Sequence, residues 1–205
     1  MNNRIAKPLL AAAIAGALSS AVVHAAPITF RVGSASPAQQ IAQVESNTDF
    51  ETFTGRTDRV TGTITFDPAR RTGSGTIEVD VASIDTGIPL RNEHMRDRSW
   101  LDAKQFPTIR FRVTNVRHTG GDRYQVTGDF TMKGVTRRIT TMATVRHRPE
   151  SEATRRAGFR GDVLQVQAAF PVRLADHNVT LPPPAVGKVA ETVRVSVTVF
   201  AQSGV

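Results

Sequence analysis

Apolar and polar residues alternate with period two along most of the chain from residue 28 onward. Ile28-Thr-Phe30-Arg-Val32 alternates, and so does Ile64-Thr-Phe66 ahead of a turn at Asp67-Pro68. Residues 76–81 place Ile77, Val79 and Val81 on one face and Glu78 and Asp80 on the other. Arg110 and Arg112 separate Ile109, Phe111 and Val113, and Tyr124, Val126 and Gly128 lead to Phe130 and Met132. Leu164, Val166, Ala168 and Phe170 form another row, and Val193, Val195, Val197 and Val199 the last. Side chains on a strand point alternately to its two faces, so each segment reads as a strand with one buried face. Gly-rich and polar clusters at 70–75, 119–122 and 133–134 supply turns. About eight to ten such strands must close on themselves or pack in two layers. The expected class is all-β, an antiparallel barrel of about eight strands, with a two-sheet sandwich as the alternative.

Two stretches break the alternation. Leu90 to Lys104 is charged and non-alternating, which predicts a short helix or helical turns ending before Pro107. Residues 148–158 are polar and read as an exposed loop.

Residues 1–25 have the features of an export signal. Arg4 and Lys7 form a basic start, residues 9–23 are apolar and Ala-rich, and Val23-His24-Ala25 offers a small-x-small cleavage site. An uncleaved N-terminal anchor is the alternative. Residues 26–205 then form one exported domain, with the periplasm as the expected address. The sequence has no Cys, so disulfides, thiolate metal sites and a lipid anchor on Cys are excluded.

Net charge is +8, of which Arg4 and Lys7 supply +2. The basic residues are mostly Arg, scattered on outward strand positions or at turns, without the interleaved aromatics of a single-strand nucleic-acid binder. Nucleic acid is therefore not an expected partner. Weak attraction to an anionic membrane surface agrees with the exported address.

Motifs for catalysis are isolated. Asp85-Thr86-Gly87 occurs once, whereas an aspartic protease needs two carboxylates sharing a proton. The simpler reading is a turn in which Asp85 and Thr86 bond local backbone and Gly87 adopts a conformation that needs no Cβ. His94, His118, His147 and His177 show no metal-ligand spacing. His118 and His147 lie beside turns and are expected to be solvated. No Gly-x-Ser-x-Gly elbow is present, and Gly73-Ser74-Gly75 is a turn rather than a phosphate cradle. No catalytic or metal-binding residue and no cofactor is therefore assigned. An apolar interior remains, rich in Phe, which periodicity alone allows to be either filled or hollow.

The block Ser83 to Val113 contains Asp85-Thr86-Gly87, Arg91, His94-Met95, Trp100-Leu101-Asp102 and Phe106-Pro107 in an order that resembles the signature of the YceI-like family. Phe53-Thr-Gly55 followed by Gly62-Thr-Ile64-Thr-Phe66-Asp67 resembles that family's early strands. Val126-Thr-Gly128-Asp-Phe130-Thr-Met132-Lys-Gly134-Val135-Thr136 and Gly187-Lys188-Val189 resemble its later elements. Where many members carry Arg-Asp-x-His, this chain has Arg91-Asn92-Glu93-His94. The resemblance implies an extended lipocalin-like barrel with a helix over one side. The implied partner is a long-chain isoprenoid, such as a quinone or isoprenoid phosphate, or another long-chain amphiphilic lipid.

On that implication, Ile77, Val79, Phe111, Val113, Phe130 and Phe170 line a tail pocket, and Met95, Trp100 and Phe106 close one end. Arg91 and His94 are headgroup candidates, with a structural contact between helix and barrel the simpler role for His94. Transport, storage or sequestration would fit, and a homodimer is compatible. A filled structural or stress-response barrel and a lipid-directed enzyme are the rival classes.

Overall fold

The computed structural model describes residues 26–34 and 40–204, so the expected signal peptide lies outside the described residues. Within them the chain forms β1 (Ile28–Val32), β2 (Ile41–Asn47), β3 (Thr52–Thr57), β4 (Val60–Asp67), β5 (Thr72–Asp80), β6 (Thr108–Gly120), β7 (Arg123–Met132), β8 (Val135–Arg148), β9 (Val163–Arg173) and β10 (Thr192–Gln202). Helix α1 (Pro89–Arg96) lies between β5 and β6, and the one-turn α2 (Glu152–Arg156) between β8 and β9.

Strands β4 to β10 pair antiparallel in chain order, and β1 lies between β10 and β4. Phe30 stands opposite Ile64, and Val32 opposite Ala201. This closes a ring of eight strands and excludes the sandwich. Where β1 leaves β10, β2 takes its place, with Ile41 opposite Thr198 and Glu45 opposite Arg194, and carries β3 as a hairpin. The barrel wall is thereby extended at one end, and a single bridge, Arg56 to Asp85, is recorded on the outer edge of β3.

Alternation is interrupted in β6, where the register with β7 shifts between Val113 and Asn115. A bulge of this kind resets which side chains face inward, so Val116 rather than Asn115 joins the interior. Close approach also matters on β7. A Cβ on Gly128 would stand 2.5 Å from Phe111 Cζ, so the absent side chain is what gives the Phe111 ring its place.

The end of the barrel away from β3 is filled. Phe30, Leu164, Val199 and Ala201 are fully buried there, with Phe66 packed edge-on to Tyr124. His147 belongs to this plug and is not solvated as expected. Strand parity turns it inward two residues after Val145, its ring meets Phe30 and Phe66, and its Nε2 lies 2.8 Å from the Asp162 carboxylate. The stretch 148–158 is likewise more ordered than a loop. Ser151 and Thr154 form a capping box that starts α2, and the following Phe159 is buried against outward-facing Phe200.

On the outer wall Arg110 pairs with Glu78, and Arg112 and Arg138 flank Asp129. The arginine ends of these pairs are exposed, so solvent screens them and they contribute little to stability.

Candidate functional site: an apolar chamber under helix α1

The other half of the barrel is hollow. A chamber of about 400 Å³ lies between the β2–β3 hairpin, α1, the mouth ends of β6, β7 and β9, and the 174–191 connection. Its wall is predominantly apolar, with Val44, Trp100, Leu101, Met132, Val172 and Val193 among the contributors. Beneath it a second space of about 140 Å³ runs toward the filled end. Ala42, Val79, Ile109, Phe130 and Val195 line both, and so form a neck between them. Phe170 stands beside the neck, its ring 5.5 Å from Phe130 and 5.9 Å from Phe111.

Loops at the mouth hold α1 in place. Pro89 opens the helix with φ already set. Asn92, buried beneath it, accepts from the Thr86 backbone N–H at 2.9 Å and the Thr86 hydroxyl at 2.7 Å. Its amide donates to Asp85 Oδ1 at 2.6 Å, and Asp85 Oδ1 also accepts the Gly87 N–H at 2.8 Å. Gly87 has φ +76°, a conformation that disfavours any side chain. The Asp85-Thr86-Gly87 triplet is thus the expected turn, and it also bonds β3 through the reciprocal backbone pair Arg56–Asp85. Hydrogen bonds from Gly87 N–H and then Asn92 hold the Asp85 carboxyl below its ordinary value. On the other side of the mouth, Lys133 donates to the carbonyls of Ser99 and Asn178 and so links three connections.

Polar groups are few and mostly engaged. Ser46 Oγ accepts the Ala190 N–H, and Thr57 bonds Ser83. Arg91 pairs with Glu51 while its guanidinium lies 4.2 Å from the centre of the Phe53 ring. His94 and Lys188 line the chamber, and no side-chain hydrogen bond or ion pair is recorded for either among the described residues. Under the floor, His177 is 2% exposed. Its Nδ1 lies 3.0 Å from the Val135 carbonyl, its ring is edge-on to Phe130 at 5.3 Å, and burial lowers its pKa below 6.5.

The structure places Val79, Arg91, His94, Met95, Trp100 and Phe130 on the upper chamber. Ile77, Phe111, Val113 and Phe170 line the lower one, which Val79 and Phe130 share. Phe106 lies on neither wall. Its ring covers Gly134 in the β7–β8 turn, with Phe106 Cε1 2.8 Å from where a Cβ there would stand. Sequence reasoning missed the β2–β3 contribution of Ala42, Val44, Gly55 and Thr57, along with the neck residue Val195. These side chains are small or weakly apolar, so their inward rows carry little hydrophobic contrast. Val195 did belong to a recognised alternating row.

The YceI-like domain model matches residues 34–201. The chain is 29% identical over 132 residues to a UPF0312 protein of Shewanella denitrificans, covering 63% of this chain and 69% of that protein. It is 30% identical over 121 residues to Protein YceI of Salmonella arizonae, covering 58% of this chain and 59% of that one. Against a UPF0312 protein of Pseudomonas savastanoi, the match spans about half the relative's length, 53%. Among solved structures, BcnA of Burkholderia cenocepacia superposes with a TM-score of 0.70 at 25% identity, covering 82% of this chain and 99% of BcnA. A polyisoprenoid binding domain from Saccharophagus degradans superposes with 0.62 at 21% identity, covering 87% and 99%.

Proposed function

This chain belongs to the YceI-like domain family, and from that premise we propose that it is an exported, periplasmic binding protein for a long-chain amphiphilic lipid, with an isoprenoid tail as the leading candidate. The observation that carries this reading is the hollow, apolar upper chamber, which continues through the neck toward the filled end. Its volume, about 400 Å³, lies within the range of small-molecule sites. A tail buried there gains about 0.8 kcal/mol per methylene. The headgroup would remain at the mouth, beside His94, Lys188 and the Arg91–Glu51 pair. One structural neighbour, from Saccharophagus degradans, is described as a polyisoprenoid binding domain, which supports a lipid ligand.

Native mass spectrometry of the purified protein, followed by organic extraction, tests the reading. The expected result is a stoichiometric adduct that releases a long-chain lipid. A bare mass that persists after quinones and isoprenoid phosphates are offered in micelles would favour a barrel without a ligand.

A further inference from the structure

Six large apolar side chains are exposed among the described residues, and four of them encircle the chamber mouth. Ile88 and Leu90 stand at the start of α1 and also line the chamber. Val186 lies between Ala185 and Lys188, which line it too. Phe50 sits at the tip of the β2–β3 hairpin, against Gly187 and next to the lining residue Glu51. Phe50 is 84% exposed, Val186 66% and Leu90 59%. Three segments distant in sequence thus expose apolar tips around one opening, while the far end of the barrel is capped by buried packing.

On the premise that the chamber takes a lipid, we infer that this rim is a bilayer-docking surface, and that Phe50, Ile88, Leu90 and Val186 enter the interfacial region while ligand is exchanged. The apolar chamber wall runs without a break through Ile88 and Leu90 into the exposed rim. A tail can therefore pass from bilayer to barrel without crossing water. The charge balance identifies the kind of membrane. Residues 48–53, 87–98 and 182–189 together carry four basic side chains (Arg91, Arg96, Arg98, Lys188) and four acidic ones (Asp49, Glu51, Glu93, Asp97). With Lys133, which bonds carbonyls on the other side of the mouth, the rim is within one charge of neutral, so docking rests mainly on apolar insertion and does not require anionic lipid. This departs from the electrostatic contact that overall basicity suggested. Each apolar side chain withdrawn from water favours the docked state by roughly tenfold.

The absence of cysteine permits single-site labelling of the full chain. Val186→Cys carries an environment-sensitive fluorophore at the rim, and Thr119→Cys carries it at the opposite end, beside the β6–β7 turn. With phosphatidylcholine vesicles, the label at 186 should shift to the blue and be quenched by nitroxide lipid, while the label at 119 stays aqueous. Adding Phe50→Ser and Leu90→Ser should weaken insertion at 186 by roughly 100-fold. Both changes are at exposed sites, and circular dichroism verifies the fold. An aqueous signal at 186 would overturn the inference. So would insertion that requires anionic lipid and disappears at high salt, or insertion unaffected by the serine pair. Uptake of lipid from detergent micelles is measured separately. Insertion without uptake removes the carrier reading and leaves the rim; uptake without insertion does the reverse.

Discussion

The Asn92 side-chain amide donates to the Asp85 carboxylate at 2.6 Å and so joins α1 to the turn that bonds β3. An aspartate at position 92 would keep both bonds accepted from Thr86 but would bring two carboxylates into contact. Asn92→Asp should lower the thermal midpoint at pH 7 by roughly 5 °C. The loss should recover as pH falls into the carboxylate range and one proton is shared. Thermal melts between pH 4 and pH 8 measure this, and a pH-independent loss would contradict the assigned direction of the bond.

Val195 lies at the neck with space on both sides. Val195→Phe should close the lower space and shorten the longest tail accepted, at a stability cost of about 1–3 kcal/mol if the ring overpacks. Competition among a homologous lipid series, read by native mass spectrometry, should show short tails retained and long tails lost. Unchanged selectivity would remove the neck as a determinant of tail length.

Glu51 neutralises Arg91 at the mouth. Glu51→Gln leaves the guanidinium charge uncompensated while preserving a hydrogen-bond acceptor. Affinity for an anionic amphiphile should rise roughly 3- to 10-fold and affinity for a neutral one should stay the same, in keeping with the strength of a partly exposed ion pair. Titration calorimetry with a fatty acid and its alcohol makes the comparison. Equal gains for both would mean that the pair acts by shape alone.

His177 has a depressed pKa because it is buried, so below its ordinary value near 6.5 the unfolded chain takes up a proton that the folded chain refuses. Its contribution to stability is complete above that value and declines as pH falls toward the lowered folded pKa. His177→Gln should flatten the stability curve between about pH 7 and pH 5, even if it lowers the curve as a whole. Urea unfolding at a series of pH values gives the slope.

The barrel itself was legible because β5, β6, β7, β9 and β10 place mostly branched or aromatic residues on alternate positions, against charged, polar or small ones. Strand β8 was obscured, as its inward row includes Thr141, Ala143 and His147, which contrast little with the Arg and Thr outside. The β2–β3 wall was hidden for the same reason. The turn at Asp85 could be read from its residue types, but its bond to Asn92 depends on how the helix folds back over the mouth. Phe106 shows the opposite error. An aromatic residue close to the signature helix suggested a chamber lid, whereas the bare Gly134 backbone in a distant turn offered a nearer surface. Periodicity allowed a solid or a hollow interior, and the structure contains both, divided along the barrel axis.

That division makes the barrel a cul-de-sac. With Phe30, Leu164, Val199 and Ala201 sealing one end, a tail cannot thread through and has to back out by the way it entered. The headgroup is then the last part in and the first part out, available to a recipient while the tail is still held. Each further methylene drawn into the dead end would lengthen residence by about fourfold, making tail length the clock on release.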